Sequence, residues 1–441
     1  MTYIISRNIN LRKIFNFRKE LKIIKRQSKI TKKFEEQEGT FIGTTGRKPV
    51  YLPDNCKHCF VCGTTGSGKT VTLSNFFQRG FEKNYPMLIV DGKGDIGKGS
   101  ILEVIKKLNR GRKKLYVINL ADPKNSDTYN PFKDTPSSVA KDMLIQMSDW
   151  TEEHYKVNAE RYLQRILQLF DLGNIPYSFR RIVKAMNVDK FTELSMHLLK
   201  KEYISKEDHD ENLEIAKTSG KISQGSSARF STIAESELGK IFSDDGIDIS
   251  TALEENAIIL FILNPLVYPE LSPAFGRLAI IDAKKAVGRL FNAQIDRTFF
   301  ILDEINTYAS PSLTDLVNKS RSANITCTLA TQSLSDLDFI AGQAFKEQII
   351  ENCNNYIVMR QNSGVNAEHW ANILGTKSTL EVTYQLQQSG LQTSETGFGS
   401  AKRVREFLYH PDDIKALQTG EGIYLSRDFN HNSKLAINKP F

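Results

Sequence analysis

The sequence predicts an α/β protein in which a long helical stretch interrupts an alternation of strands and helices. Three observations carry that expectation. Short apolar runs of strand length recur on both sides of the middle of the chain, at 86–91, 114–120, 256–263, 297–304, 324–332 and 354–360. The run 59–62 leads straight into the glycine-rich stretch GTTGSGKT, after which the pattern becomes helical. From about 138 to 242 the apolar residues keep helical spacing almost throughout. Strands before and after an all-helical segment indicate one α/β unit with an insertion of roughly 100 residues.

The 441 residues leave room for about two domains at roughly 150 residues each, and 40% apolar with 10% aromatic content suits a globular core. The formal charge of +8 is unevenly placed. Residues 1–34 hold eleven Lys or Arg against the single acid Glu20, so the 48 basic and 50 acidic residues that remain leave the body at −2. The high pI thus belongs to an N-terminal arm and does not mark the body as a nucleic-acid binder. Within that arm, Leu11, Ile14, Phe15, Leu21 and Ile24 alternate with basic residues. This suits a basic amphipathic helix lying on anionic lipid or on DNA phosphates, and equally a solvated arm.

Taken in order, the chain divides into the arm 1–38, a first α/β segment 39–137, the helical insertion 138–242 and a second α/β segment 243–441 that completes the same domain. A strand at 59–62 precedes a helix at 69–82, and strands follow at 86–91 and 114–120. Residues 152–172 are the clearest amphipathic helix of the insertion. The polar segment 376–400 reads as an exposed hairpin or loop. The longest apolar run, 257–263, has the length of a buried strand and is far short of the ~20 residues of a membrane span. Five cysteines make no disulfide framework. Cys56, Cys59 and Cys62 are spaced by three, but a strand there sends neighbours to opposite faces, so we expect packing rather than zinc.

Gly63, Thr64, Thr65, Gly66, Ser67, Gly68, Lys69 and Thr70 fit the phosphate-cradling pattern G-x-x-x-x-G-K-[ST], in its proper place between strand and helix. Gly66 and Gly68 let backbone N–H groups converge on phosphate oxygens. The helix N-terminus adds positive potential. Lys69 is expected to reach the β- and γ-phosphates and the Thr70 hydroxyl to sit on Mg²⁺. A partner acid should end a neighbouring strand, and TFFILDE supplies Asp303 for Mg²⁺ and Glu304 to orient or deprotonate the attacking water. The second carboxylate favours hydrolysis over a binding switch. The next strand ends in LATQS, placing Gln332 to sense the γ-phosphate or position water. Arg321 stands before that strand, where ring ATPases carry an arginine that reaches the neighbouring subunit's γ-phosphate.

GTTGSGKT, LIVDGKGD (88–95), YNPF (129–132), LDEINTYAS (302–310), SRSANI (320–325), LATQSLSDL (329–337) and the closing REFLYHPDDIKALQTGEGIYL (405–425) occur in an order that resembles the TraD/TraG-type coupling ATPases of conjugation and type IV secretion, within the FtsK/HerA group. The resemblance spans residues 40 to 430. It implies a RecA-like P-loop NTPase domain with an inserted all-helical domain, assembled as a hexamer that hydrolyses ATP with Mg²⁺ between subunits and passes DNA through its channel. By the same matching, Lys69, Thr70, Asp303, Glu304, Arg321 and Gln332 take the roles argued above. It further implies relaxase proteins as partners, together with a secretion channel or membrane anchor protein. The DGKGD segment matches a family signature to which the sequence assigns no chemistry.

Many members of that family begin with transmembrane helices, and none is expected here. The arm could hold a cytoplasmic protein to the inner face of the membrane, a separate protein could anchor it, or the chain could be a truncated form. The leading expectation is an ATP-hydrolysing DNA translocase that recruits relaxase-bound DNA to a conjugative channel. The alternatives are a cytosolic HerA-like translocase and a nucleotide-gated adaptor for protein substrates. Two basic stretches, NRGRKK (109–114) and AKRVRE (401–406), are candidates for DNA contact or solvated loops.

Overall fold

The apolar runs become the strands of one sheet. In this computed structural model, which describes residues 38–148, 150, 152–291, 297–389 and 392–441, the strands are β1 (Gly39–Thr45), β2 (Lys48–Pro53), β3 (His58–Cys62), β4 (Met87–Asp91), β5 (Leu115–Asn119), β6 (Ile258–Ile262), β7 (Thr298–Asp303), β8 (Ile325–Thr331), β9 (Cys353–Val358), β10 (Thr376–Ser389), β11 (Gln392–Phe407), β12 (Glu421–Ser426) and β13 (His431–Ile437). The basic helix expected over 11–33 lies outside the described residues. Among the described residues no helix is long and apolar enough to cross a membrane.

Eleven strands order as β2-β1-β13-β12-β9-β3-β8-β7-β4-β6-β5. From β9 to β5 all neighbours are parallel. The four strands at the other edge are antiparallel. Apart from the edge strand β5, the parallel strands are buried along almost their whole length because helices cover both faces; every residue of β4, β6 and β7 is buried. Phe60 and Cys62 enter one core cluster and Cys59 and Val61 the other, so the strand alternation carries the two β3 cysteines to opposite sides of the sheet. Burial pushes the Cys62 thiol up to about 12, which keeps it protonated.

The antiparallel edge is not anticipated by the sequence pattern. β13 shows the reason: Ser433 and Leu435 are buried while Lys434 and Ala436 are exposed. An edge covered on one face alternates and presents no apolar run. The segment expected as an exposed hairpin or loop is the two-stranded ribbon β10–β11, extended to Phe407.

Between β5 and β6 the chain is largely helical, with helices at Ser137–Gln146, Glu153–Leu172, Phe179–Ala185, Val188–Lys200, Lys206–Ile215, Gln224–Glu235 and Ile249–Glu254. The helix 153–172 buries Tyr162, Leu163, Ile166, Leu167 and Phe170, one apolar stripe. These helices share a core with the sheet face opposite the helix Lys69–Glu82. Their entry and exit are tied together at YNPF. The Tyr129 hydroxyl donates to Asp282 Oδ2 at 2.8 Å, which also accepts from the Ile249 N–H at 3.0 Å, and Asn130 Nδ2 donates to the carbonyls of Tyr177 and Asp244. Lys285, 2.9 Å from Asp282 Oδ1, supplies the buried counter-charge.

Candidate active site

β3 carries the chain to the carboxyl edge of the parallel strands, the edge on which open α/β sheets bind ligands. There residues 63–68 turn back into the helix Lys69–Glu82. The loop is fixed from outside: the Gly63 N–H donates to the Thr331 carbonyl at 3.3 Å and the Thr64 N–H to the Arg360 carbonyl at 3.0 Å. The Gly66 and Ser67 carbonyls accept from Thr419 Oγ1 at 2.9 Å and from the Gly420 N–H at 3.0 Å. Gly68 caps the helix at φ 110°, a conformation other residues avoid. No side chain caps this end and no acid sits in its first turn, so its N–H groups remain available to an anion.

Lys69 Nζ lies 2.6 Å from Glu304 Oε1, both side chains being less than a tenth exposed. Gln332 Nε2 donates to the same oxygen at 3.1 Å, while its Oε1 accepts from Thr65 Oγ1 at 3.0 Å. Glu304 Oε2 is buried with no partner among the described residues. Glu304 itself stands at φ 47°, held there because Asp303 Oδ1 accepts its N–H at 3.0 Å. Around this group a cavity of about 210 Å³ is lined by Thr64, Thr65, Lys69, Thr70, Lys93 and Asp303 among others. The loop, Lys69, Thr70, Asp303, Glu304 and Gln332 thus converge.

Arg321 does not join them. It is exposed in the turn Arg321–Ala323 before β8, at the amino edge of the parallel strands. The seven residues of β8, roughly 20 Å of strand, separate it from the edge where the loop lies. Of the basic stretches, Lys113 Nζ is already bonded to the Tyr85 carbonyl and Asn256, and Lys114 to Glu255. Lys402, Arg403 and Arg405 are exposed on β11.

Two features escape a reading of the sequence. The Thr419–Gly420 clamp on the loop comes from a turn more than 350 residues away in the chain. Asp91 stands in register with Asp303 on the neighbouring strand; burial, then the Asp303 charge, pushes its carboxyl up to about 7. Burial raises Asp303 as well, against the opposing pull of Lys69.

A buried acid with a raised pKa binds protons more tightly folded than unfolded. Its stabilising share is therefore whole below about pH 4 and is lost as the pH rises through about 7. Asp91→Asn keeps an acceptor for the Lys93 and Gly94 N–H groups and removes one charge. The variant should be more stable than the wild type by about 1–3 kcal/mol at pH 8, the gap closing by about pH 4. Denaturant unfolding at both pH values checks this, and an equal gap at both would refute it.

The family of the type IV secretion-system coupling protein DNA-binding domain matches residues 44–433. The bacterial conjugative coupling protein TrwB, in its unbound monoclinic form, superposes with a TM-score of 0.64 at 17% identity, over 93% of this chain and 91% of that one. TrwB in complex with ADP and Mg²⁺ gives 0.63 at 16% identity, over 94% and 92%. VirB4 of Thermoanaerobacter pseudethanolicus gives 0.56 at 11%, over 91% and 96%. An uncharacterized protein of Mycoplasma pneumoniae is 33% identical over 104 residues, 24% of this chain and 69% of that protein. The solved structures show the fold, which is the expected RecA-like P-loop NTPase fold. Because the family match runs from β1 into β13, across the whole sheet and the helices between its halves, the chain belongs to the type IV secretion-system coupling protein DNA-binding domain family.

Proposed function

We propose that the chain is an ATP-hydrolysing DNA translocase that recruits relaxase-bound DNA to a conjugative type IV secretion channel. One observation carries the reading: in a chain of the coupling-protein family, Lys69, Glu304, Gln332 and Thr65 form a single hydrogen-bonded group beside Thr70 and Asp303. The TrwB complexes with ADP and Mg²⁺ and with an ATP analogue support ATP and Mg²⁺ as what the site takes.

The residues fit both groups. Asp303 is a buried carboxyl whose charge burial disfavours, which a cation would offset. Thr70 and Asp303 would hold the metal, which supplies neutralising charge to the phosphate oxygens. Lys69 exchanges its carboxylate partner for the β- and γ-phosphates. Glu304 then orients water with its unpartnered Oε2 and takes its proton. Gln332, bonded to both Thr65 and Glu304, positions that water and reports the terminal phosphate to the loop. Arg321 serves the site of the next copy in a ring, most simply a hexamer, at the inner face of the membrane beside a channel or anchor protein.

Steady-state hydrolysis by the purified protein with and without DNA tests this. DNA should stimulate turnover strongly at low salt, the stimulation should fall as salt rises, and Lys69→Ala should abolish it. Hydrolysis indifferent to DNA would instead favour a nucleotide-gated adaptor for protein substrates.

A further inference from the structure

The DGKGD segment is built to deliver a lysine. Directly after β4 the chain must pass between Asp303–Glu304 and the end of β6, and two glycines make that possible. A side chain at Gly92 would begin 2.8 Å from the Glu304 carbonyl oxygen and 2.9 Å from that of Asp303. One at Gly94, where φ is +77°, would begin 1.9 Å from the Leu263 carbonyl oxygen. The turn is anchored on both sides. The Gly92 N–H donates to the Asp303 carbonyl at 3.2 Å, and the Gly92 carbonyl accepts from Thr307 Oγ1 at 3.3 Å. Asp91 Oδ1 accepts the N–H groups of Lys93 at 2.9 Å and Gly94 at 3.3 Å.

What this turn presents is Lys93, which lines the same cavity as Lys69, Thr70, Asp303 and Glu304. Its side chain is 60% exposed and its ion pair is with Asp95 at 3.4 Å, whose side chain is 42% exposed. An exposed pair of that kind contributes little to stability. It therefore does not account for a turn that needs two close glycine contacts and a buried aspartate.

We propose that Lys93 is a catalytic residue of the nucleotide site: its ammonium binds the terminal phosphoryl group during transfer, and Asp91 is the positioning residue that holds its turn. The assignment rests on the nucleotide reading above. In the step concerned, water oxygen bonds to the γ-phosphorus and the bond from that phosphorus to the β–γ bridging oxygen breaks. The electron pair stays on ADP and the water proton passes to Glu304. Lys69 is committed to the β/γ junction, so Lys93 meets the charge on the equatorial oxygens of the group in flight. Asp95 holds it at the rim until that charge is there.

The test is equilibrium binding of ADP and of ADP–aluminium fluoride, both with Mg²⁺, to the full chain, alongside kcat and KM for ATP. Lys93→Met should bind ADP within about twofold of wild type, while affinity for the fluoride complex and kcat each fall about 100-fold with KM little changed. ADP binding doubles as the check that the variant is folded. Lys93→Arg should recover part of the loss. Fluoride-complex binding and kcat within about threefold of wild type in Lys93→Met would overturn the assignment while leaving the nucleotide site intact. A wild-type chain that binds neither complex would sink the nucleotide reading and this assignment with it.

Discussion

Glu304→Gln is expected to bind ATP at least as tightly as the wild type and to turn it over about 10²–10⁴ times more slowly. The reason lies in how the two carboxylate oxygens are used. Oε1 is shared by Lys69 at 2.6 Å and Gln332 at 3.1 Å, and the amide oxygen of glutamine can still accept from both. Oε2 is buried with no partner among the described residues, and on the proposed reading it is the atom left to receive a proton from water. An amide nitrogen in its place cannot take that proton. The substitution also removes a negative charge beside the position of the terminal phosphate, which is why affinity should hold or improve. Single-turnover hydrolysis beside nucleotide affinity separates the two effects. Near wild-type turnover in Glu304→Gln would move the role of base to another group, and Gln332 cannot be that group because its amide has no basic site.

Much of this arrangement is legible in the amino-acid sequence. The phosphate loop, Asp303, Glu304 and Gln332 can be placed because each stands at the end of an apolar run. In a parallel sheet every such end falls on the same edge, whatever the order of the strands. Strand order is what local pattern withholds. Asp91 also ends an apolar run, yet nothing in LIVDGKGD says that β4 lies against β7 and puts Asp91 beside Asp303. The DGKGD turn gains a meaning only from the placement of Gly92 against the Asp303 and Glu304 carbonyls. The Thr419–Gly420 clamp is hidden for the same reason, since QTGEG reads as an ordinary turn until it is seen on the loop. The antiparallel edge is hidden for a different one: strands such as β13 alternate and are interrupted by polar residues, so no apolar run announces them. YNPF stands out as a motif, but its work is structural, with Tyr129 and Asn130 fastening the two crossings into and out of the helical stretch.

Arg321→Ala is expected to lower hydrolysis about 10³-fold or more, although Arg321 touches nothing in its own site. It is exposed at the amino edge of the sheet while the phosphate loop occupies the carboxyl edge, so a catalytic role requires a second copy. Removing an exposed side chain of this kind changes stability by less than about 0.5 kcal/mol, so unfolding would not explain the loss. The decisive experiment mixes Arg321→Ala with Lys69→Ala, each inactive alone. In a head-to-tail ring an interface is whole wherever a subunit with Lys69 meets a neighbour with Arg321, which random mixing in equal parts makes true of about a quarter of interfaces. Mixed protein should therefore regain up to about a quarter of wild-type activity if sites fire independently, and none if firing requires a neighbouring site to be intact. Recovery on mixing can come only from complementation between subunits, because neither chain carries a complete set. No recovery, with both variants still able to assemble and with mixtures of wild type and Lys69→Ala active in proportion to the wild-type share, would confine Arg321 to a structural part near His58, whose imidazole is held down to about 4 by burial, with the Arg321 charge adding to the effect. Arg321→Lys sharpens the reading further: a planar guanidinium binds phosphoryl oxygens through two donors at once, and an ammonium does not. Activity lost in the lysine variant as well would show that the arginine acts by that geometry and not by charge alone.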